Sequence, residues 1–340
     1  MSNPNYQYCI VGFGLAGQLL LLELLQRNIK LDKLCILDKN FLGGALVTQY
    51  GSVLSNTPWW KTKKALSVYS NWSSEVLKEG NALYSDDQCM PVKMIAEFCL
   101  KTATAALTLT GNTPEKITAC ATEIQREGDC WKISHSFGSI LCKTLFLTHG
   151  ALEKQLPLEK PCIPLSIALD KQRLQHYVSA EKDKIAVVGT AHSGTLVLSH
   201  LHELGIPTTA IYNTPTPFQF AKDGHYDGIK EGSEKIAESI LQGSYTNVSL
   251  VSWNNPLELY KTLQKTTKVI YSIGFKTRSI GQMDLHYDPK TARVGPEGSN
   301  CYGYGIAFPG ITEQNGQPYS DVSVLSFQEQ IQRTLIHIPL

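Results

Sequence analysis

Gly12, Gly14 and Gly17 stand at the spacing G-x-G-x-x-G between two apolar runs, Cys9-Ile10-Val11 before them and LLLLELLQ after. A strand, a glycine turn and a helix in immediate succession suit phosphate chemistry. The first glycine permits a tight turn, the second lets backbone approach a pyrophosphate, and the third lets helix and strand pack closely. Leu15 and Ala16 open the helix, where free N–H groups and the helix dipole favour negative charge. The next apolar run, KLCILDK, ends at Asp38, 21 residues beyond Gly17. That is the place of a carboxylate that takes a ribose hydroxyl. Lys39 follows it directly.

The pattern occurs twice. In KIAVVGTAHSGTLVLSHLHELG a strand, Ile185–Val188, breaks at Gly189, Ala191 and Gly194 and becomes an amphipathic helix. Alanine in the middle place makes backbone approach to a pyrophosphate less free, but the helix start stays open and Ser193 adds a hydroxyl. The following strand, Thr208–Tyr212, ends in Tyr212-Asn213, with neither acid nor arginine. A preference between NADH and NADPH is therefore not legible.

Both turns must be positioned by the elements around them. After Asp38, NFLGGALVTQYGSVLSNTPWW has no clear period. Gly43 and Gly44 there either let backbone approach a cofactor or form an ordinary turn. Trp59, Trp60 and Trp72 suit a core or interface better than a cofactor platform. Residues 91–109 predict a helix opened by Pro91. KITACATEIQRE, CWKISHSF and SILCKTLFLTHG read as a three-strand antiparallel meander ending at Thr148-His149-Gly150. Residues 152–184, with Pro157, Pro161 and Pro164, read as a linker or domain edge. EGSEKIAESILQG, VSLVSW, PLELYKTLQ and KVIYSIGF then extend an alternating α/β pattern. His225, Tyr226 and Asp227 are candidates for a substrate or nicotinamide contact, or belong to a solvated loop. Gly303, Gly305, Pro309 and Gly310 suggest backbone pressed against something flat or narrow, ahead of a final helix VSVLSFQEQIQRTL.

With 340 residues and 42% apolar content, two domains are expected. The 31 basic and 30 acidic residues leave no field to attract nucleic acid or an anionic membrane. No stretch approaches the ~18 apolar residues of a membrane span, and MSNPNYQY lacks the pattern of a secretory signal. Nine scattered cysteines without metal spacing favour a reducing, cytoplasmic setting and no structural zinc.

With both turns placed, the chain resembles the two-dinucleotide-binding-domain flavoproteins, the superfamily that includes thioredoxin reductases and flavin-containing monooxygenases. The resemblance implies an α/β fold of two Rossmann-like, three-layer ββα domains, the second inserted in the first. Residues 1–165 and 280–340 would bind FAD and residues 166–279 NAD(P)H. It places Gly12, Gly14, Leu15, Ala16, Gly17, Asp38 and Lys39 at the FAD pyrophosphate and ribose, and Gly43, Gly44 and Asn56 beside the flavin. Thr148 and Gly150 match the "ATG" strand end, while Gly189, Ser193 and Gly194 would face NAD(P)H.

The departures narrow this reading. There is no redox-active C-x-x-C or C-x-x-x-x-C. CIPLSIALDKQRLQHYV, with His176-Tyr177, stands where true flavin-containing monooxygenases carry F-x-G-x-x-x-H-x-x-x-Y. Gly305-Ile306-Ala307-Phe308-Pro309 replaces the terminal G-D motif. The expected function is an FAD-dependent oxidoreductase that takes hydride from NAD(P)H and oxygenates a small molecule, with Pro58, Trp59 and the 220s loop framing the substrate. The alternatives are an NAD(P)H oxidase or electron-transfer flavoprotein, or a non-catalytic FAD-binding scaffold. No catalytic residue and no oligomeric state can be named from the residues.

Overall fold

The computed structural model describes residues 5–220, 232–283, 286–314, 317–319 and 322–338. His225, Tyr226 and Asp227 lie outside them. The chain forms two compact units, one from the residues up to Leu152 and from Thr277 on, the other Glu153–Lys276. The second is inserted in the first.

In the first unit the strand Tyr6–Val11 pairs in parallel with Leu34–Asp38 on one side and Gly138–Leu147 on the other. The sheet extends to Glu115–Thr118 beyond the second strand and to Cys301–Gly303 beyond the third, both parallel. Period-two alternation sends successive side chains to opposite faces. Tyr8, Ile10, Leu34 and Ile36 join a core with the helices Leu15–Gln26, Val92–Thr110 and Val324–Leu335. Cys9, Val11, Cys35 and Leu37 join another with Trp131, Ile133 and Ile140. These last belong to the meander of Ala121–Glu127, Cys130–His135 and Gly138–Leu147, antiparallel throughout. The result is the expected ββα layering.

Helix Leu15–Gln26 is apolar on nearly every side, and Leu19, Leu20, Leu21, Leu22 and Leu24 are fully buried. A helix without a polar face belongs inside. Most of the cysteines serve as small core residues, Cys120 and Cys162 being exposed; Cys9, Cys35, Cys142 and Cys301 are fully buried, and burial pushes the Cys301 thiol up.

The second unit has four parallel strands, ordered Val248–Ser252, Thr208–Tyr212, Ile185–Val188, Lys268–Tyr271. Helices His192–Glu203, Gly232–Leu241 and Pro256–Lys265 lie between them in sequence.

Two sequence expectations are corrected. KITACATEIQRE is two strands, because the chain breaks at Ala119, whose N–H donates to the Asp38 carbonyl at 2.9 Å. Glu115–Thr118 joins the parallel sheet and Ala121–Glu127 leaves for the meander. Of the two readings of the proline-rich stretch, the domain edge holds, since the second unit begins at Glu153, and the open linker does not. The Glu153 carboxylate accepts the N–H groups of Leu165 and Ser166, which starts a short helix, Leu165–Ala168. Leu165, Ile167, Leu169 and Leu174 are buried.

Candidate nucleotide sites

At Gly12 and Gly17 the first turn tolerates no side chain. Gly12 has φ +97°, and a Cβ on it would lie 2.6 Å from the Thr148 carbonyl oxygen. On Gly17 a Cβ would lie 2.3 Å from the Gly12 carbonyl oxygen and 2.9 Å from the Thr148 hydroxyl. That hydroxyl donates to the Gly12 carbonyl at 2.5 Å, and the Thr148 N–H donates to the Val11 carbonyl at 2.9 Å. Thr148 thus locks the turn to the neighbouring strand. Gly14 heads the helix in extended conformation and offers no side-chain cap. Among the described residues, none caps the first-turn N–H groups of Leu15 and Ala16.

The second unit repeats the backbone part of this construction, with Ser272 in the place of Thr148 and Ala191 in the place of Gly14. Gly189 has φ +99°, and a Cβ on it would meet the Ser272 carbonyl oxygen at 2.3 Å. On Gly194 a Cβ would meet the Gly189 carbonyl oxygen at 2.1 Å. The Ser272 N–H donates to the Val188 carbonyl at 2.7 Å, as Thr148 does to Val11. Ala191 heads its helix without a side-chain cap. Gly150 and Gly274, each two residues past Thr148 and Ser272, share positive φ of +76° and +83°. The role of Ser272 was missed in the sequence; its place in SIG, matching THG, was the available signal.

Asp38 does more than wait for a ribose. Its Oδ2 accepts the Phe13 N–H at 2.7 Å, and its Oδ1 accepts the N–H groups of Asn40 at 3.0 Å and Phe41 at 2.8 Å. A carboxylate has about four acceptor positions, so about one remains for a ligand. Lys39 is exposed beside it. The Gly43-Gly44 segment lies on the turn: both have positive φ, and a Cβ on Gly44 would meet the Gly14 Cα at 2.8 Å. Gly14 itself has Gly44 Cα 3.6 Å from its missing Cβ and nothing nearer. Asn56 is half-buried on the strand Leu54–Pro58, and Ser193 is half-buried at the second helix start.

Other expectations change. Trp59 does not frame a pocket; it is fully buried, its Nε1–H donates to Asn81 at 3.0 Å, and its ring packs at 5.6 Å from Phe98. Pro58 is buried too. The flat body facing Gly303 is the chain's own Phe308 ring, 2.3 Å from where a Cβ would stand. Gly305, at φ +88°, meets Ala16 instead, with only 2.8 Å between its missing Cβ and the alanine methyl. His149 presents Nε2 to the Arg278 carbonyl at 2.9 Å and its ring edge to Phe308, centroids 5.7 Å apart. Burial holds this imidazole below its ordinary pKa.

No protein-family model and no curated protein sequence matches the chain. Solved structures do. A flavin-containing monooxygenase from Stenotrophomonas maltophilia superposes with a TM-score of 0.65 at 13% identity, covering 97% of each chain. The chain has the fold of the two-dinucleotide-binding-domain flavoproteins. An ornithine N-hydroxylase from Kutzneria sp. 744, in complex with reduced FAD, NADP+ and L-ornithine, gives 0.63 at 10% identity over 98% of this chain and 99% of that one. A bacillithiol disulfide reductase from Staphylococcus aureus gives 0.61 at 10%, covering 98% of each.

Proposed function

We propose that the protein is an FAD-dependent oxidoreductase that draws hydride from NAD(P)H and acts, like a monooxygenase, on a small molecule. The observation that carries this is the duplicated cradle, Gly12, Gly17 and Thr148 in one unit and Gly189, Gly194 and Ser272 in the other. In the first unit an uncapped helix start faces a turn whose second position carries no Cβ, and in the second unit Ala191 adds only a methyl there, so both fit a dinucleotide. In this reading the first unit holds FAD through the N–H groups of Leu15 and Ala16, with Asp38 receiving a ribose hydroxyl and Gly43-Gly44 flanking the pyrophosphate. The second unit holds NAD(P)H through the start of helix His192–Glu203, with Ser193 adding a hydroxyl donor. The flavin, when bound, supplies hydride acceptance and oxygen chemistry, while the protein supplies binding, orientation and exclusion of water. Asn56, Lys39, Thr148 and Gly150 complete the proposed FAD surround. The proposed setting is cytoplasmic; among the described residues no helix is long and apolar enough to cross a membrane.

The test is an anaerobic spectrum of the purified protein after reconstitution with FAD. The expected result is a yellow protein that bleaches on addition of NADH or NADPH. A protein that cannot be loaded with FAD overturns the reading. Oxygen balance then decides the outcome of turnover. Product that gains oxygen in a panel beginning with ornithine and cadaverine, named for the hydroxylase above and for a related Erwinia amylovora monooxygenase, supports oxygenation. Peroxide or water as the sole product supports an oxidase.

A further inference from the structure

His149 carries an unused acceptor beside the first turn. Its Nε2 faces the Arg278 carbonyl, which can only accept, so the ring proton sits on Nε2 and Nδ1 keeps its lone pair. Nδ1 is buried and has no hydrogen-bond partner. A buried acceptor without a donor is unfavourable. Its position is informative. The His149 Cα forms the wall of the turn, 2.6 Å from where a Cβ of Gly12 would stand. The ring meets Phe308 in the segment whose Gly305 presses on Ala16, and that segment, Gly305 to Pro309, carries no acidic acceptor of its own.

We propose that Nδ1 of His149 accepts a hydrogen bond from a hydroxyl of the dinucleotide bound at the first turn, a positioning role that rests on the flavin reading above. Nδ1 is closed to water, so the hydroxyl arrives with a small displacement of the packing around the ring, to which Phe308 belongs. Burial lowers the pKa of the imidazole and so favours its neutral form, whose Nδ1 lone pair can accept.

Two substitutions separate this role from a structural one. In His149→Asn the carboxamide can place an acceptor near the Nδ1 position but loses the donor to Arg278. In His149→Gln the carboxamide can place a donor near the Nε2 position but loses the acceptor. FAD affinity is read by titrating apoprotein into FAD and following flavin fluorescence, and apoprotein melting confirms folding. The asparagine variant should bind within about threefold of wild type and the glutamine variant about tenfold more weakly, the worth of one hydrogen bond. A folded His149→Gln protein that binds FAD as tightly as wild type overturns the assignment. Titration with ADP, which has the adenosine ribose and no ribityl chain, locates the hydroxyl. Weakening with both ligands points to the ribose, and weakening with FAD alone points to the ribityl chain. If the glutamine variant does not fold, the imidazole nitrogen resonances of ¹⁵N-histidine-labelled wild type serve instead: FAD should move the His149 Nδ1 signal away from that of a free lone pair, and an unmoved signal overturns the assignment. Wild type that takes up no FAD overturns the flavin reading itself, a separate result.

Discussion

The three glycines of the first turn do different work, and substitutions can tell them apart. Gly17 is a packing glycine: an added methyl would meet the Gly12 carbonyl oxygen at 2.3 Å, and backbone cannot step aside cheaply. Gly17→Ala should cost about 1–3 kcal/mol, visible as a lower melting temperature of the apoprotein. Gly14 is the glycine proposed to face the ligand, with nothing nearer than 3.6 Å to its missing Cβ. Gly14→Val should fold, at a cost of about 1 kcal/mol at the helix start, yet lose most of its FAD. A folded Gly14→Val protein with full FAD content would show that the pyrophosphate is not there. His149 adds a pH signature. Burial lowers its folded pKa below the ordinary value of 6.5, so below about pH 6.5 the unfolded chain takes up this proton first. Stability should therefore fall as pH drops from 6.5 towards the folded pKa and stop falling from this cause beneath it. His149→Asn should flatten that part of a denaturation-midpoint profile relative to wild type.

Among the elements, the helix that follows the first turn was the most legible, because LLLLELLQ after a glycine turn has only one home. Its burial gives a direct expectation. Leu21→Ala, at a fully buried position, should destabilise the protein by about 2–5 kcal/mol, measured by urea denaturation. The strands Ile185–Val188 and Thr208–Tyr212 were read to the residue, since each is an apolar run ended by a turn. The strand pair hidden in KITACATEIQRE was not. The break at Ala119 depends on a bond between distant residues, Ala119 N–H to the Asp38 carbonyl, beside a local one to the Ile117 carbonyl. For Trp59 the core reading holds and the substrate-framing one does not, because aromatic residues after a polar loop look like a rim until Gly80 opens a slot for the ring. The glycines of both turns were legible because their cost is intrinsic to the chain. The locking role of Ser272 was not, because it exists only when two distant strands lie side by side.

At the scale of the whole molecule, the chain carries one device twice and varies it where charge would be met. The first turn has a glycine at the helix start and an acid at the end of the next strand, and the second has Ala191 and Tyr212 in those places. Ala191 is exposed and heads helix His192–Glu203 without a cap. Ala191→Asp should therefore act in opposite directions on fold and function. Aspartate is among the best N-cap residues, and replacing alanine by it gains about 0.5–2 kcal/mol, so the melting temperature should hold or rise. The same carboxylate would stand where the second nucleotide's phosphates are expected and repel them. Reduction of the flavin by NADH and NADPH should slow about tenfold or more at subsaturating nucleotide, while FAD content and reduction by dithionite stay unchanged. Unaltered reduction by both nucleotides in a folded Ala191→Asp protein would mean that hydride enters by another route, and that the second cradle serves some other ligand.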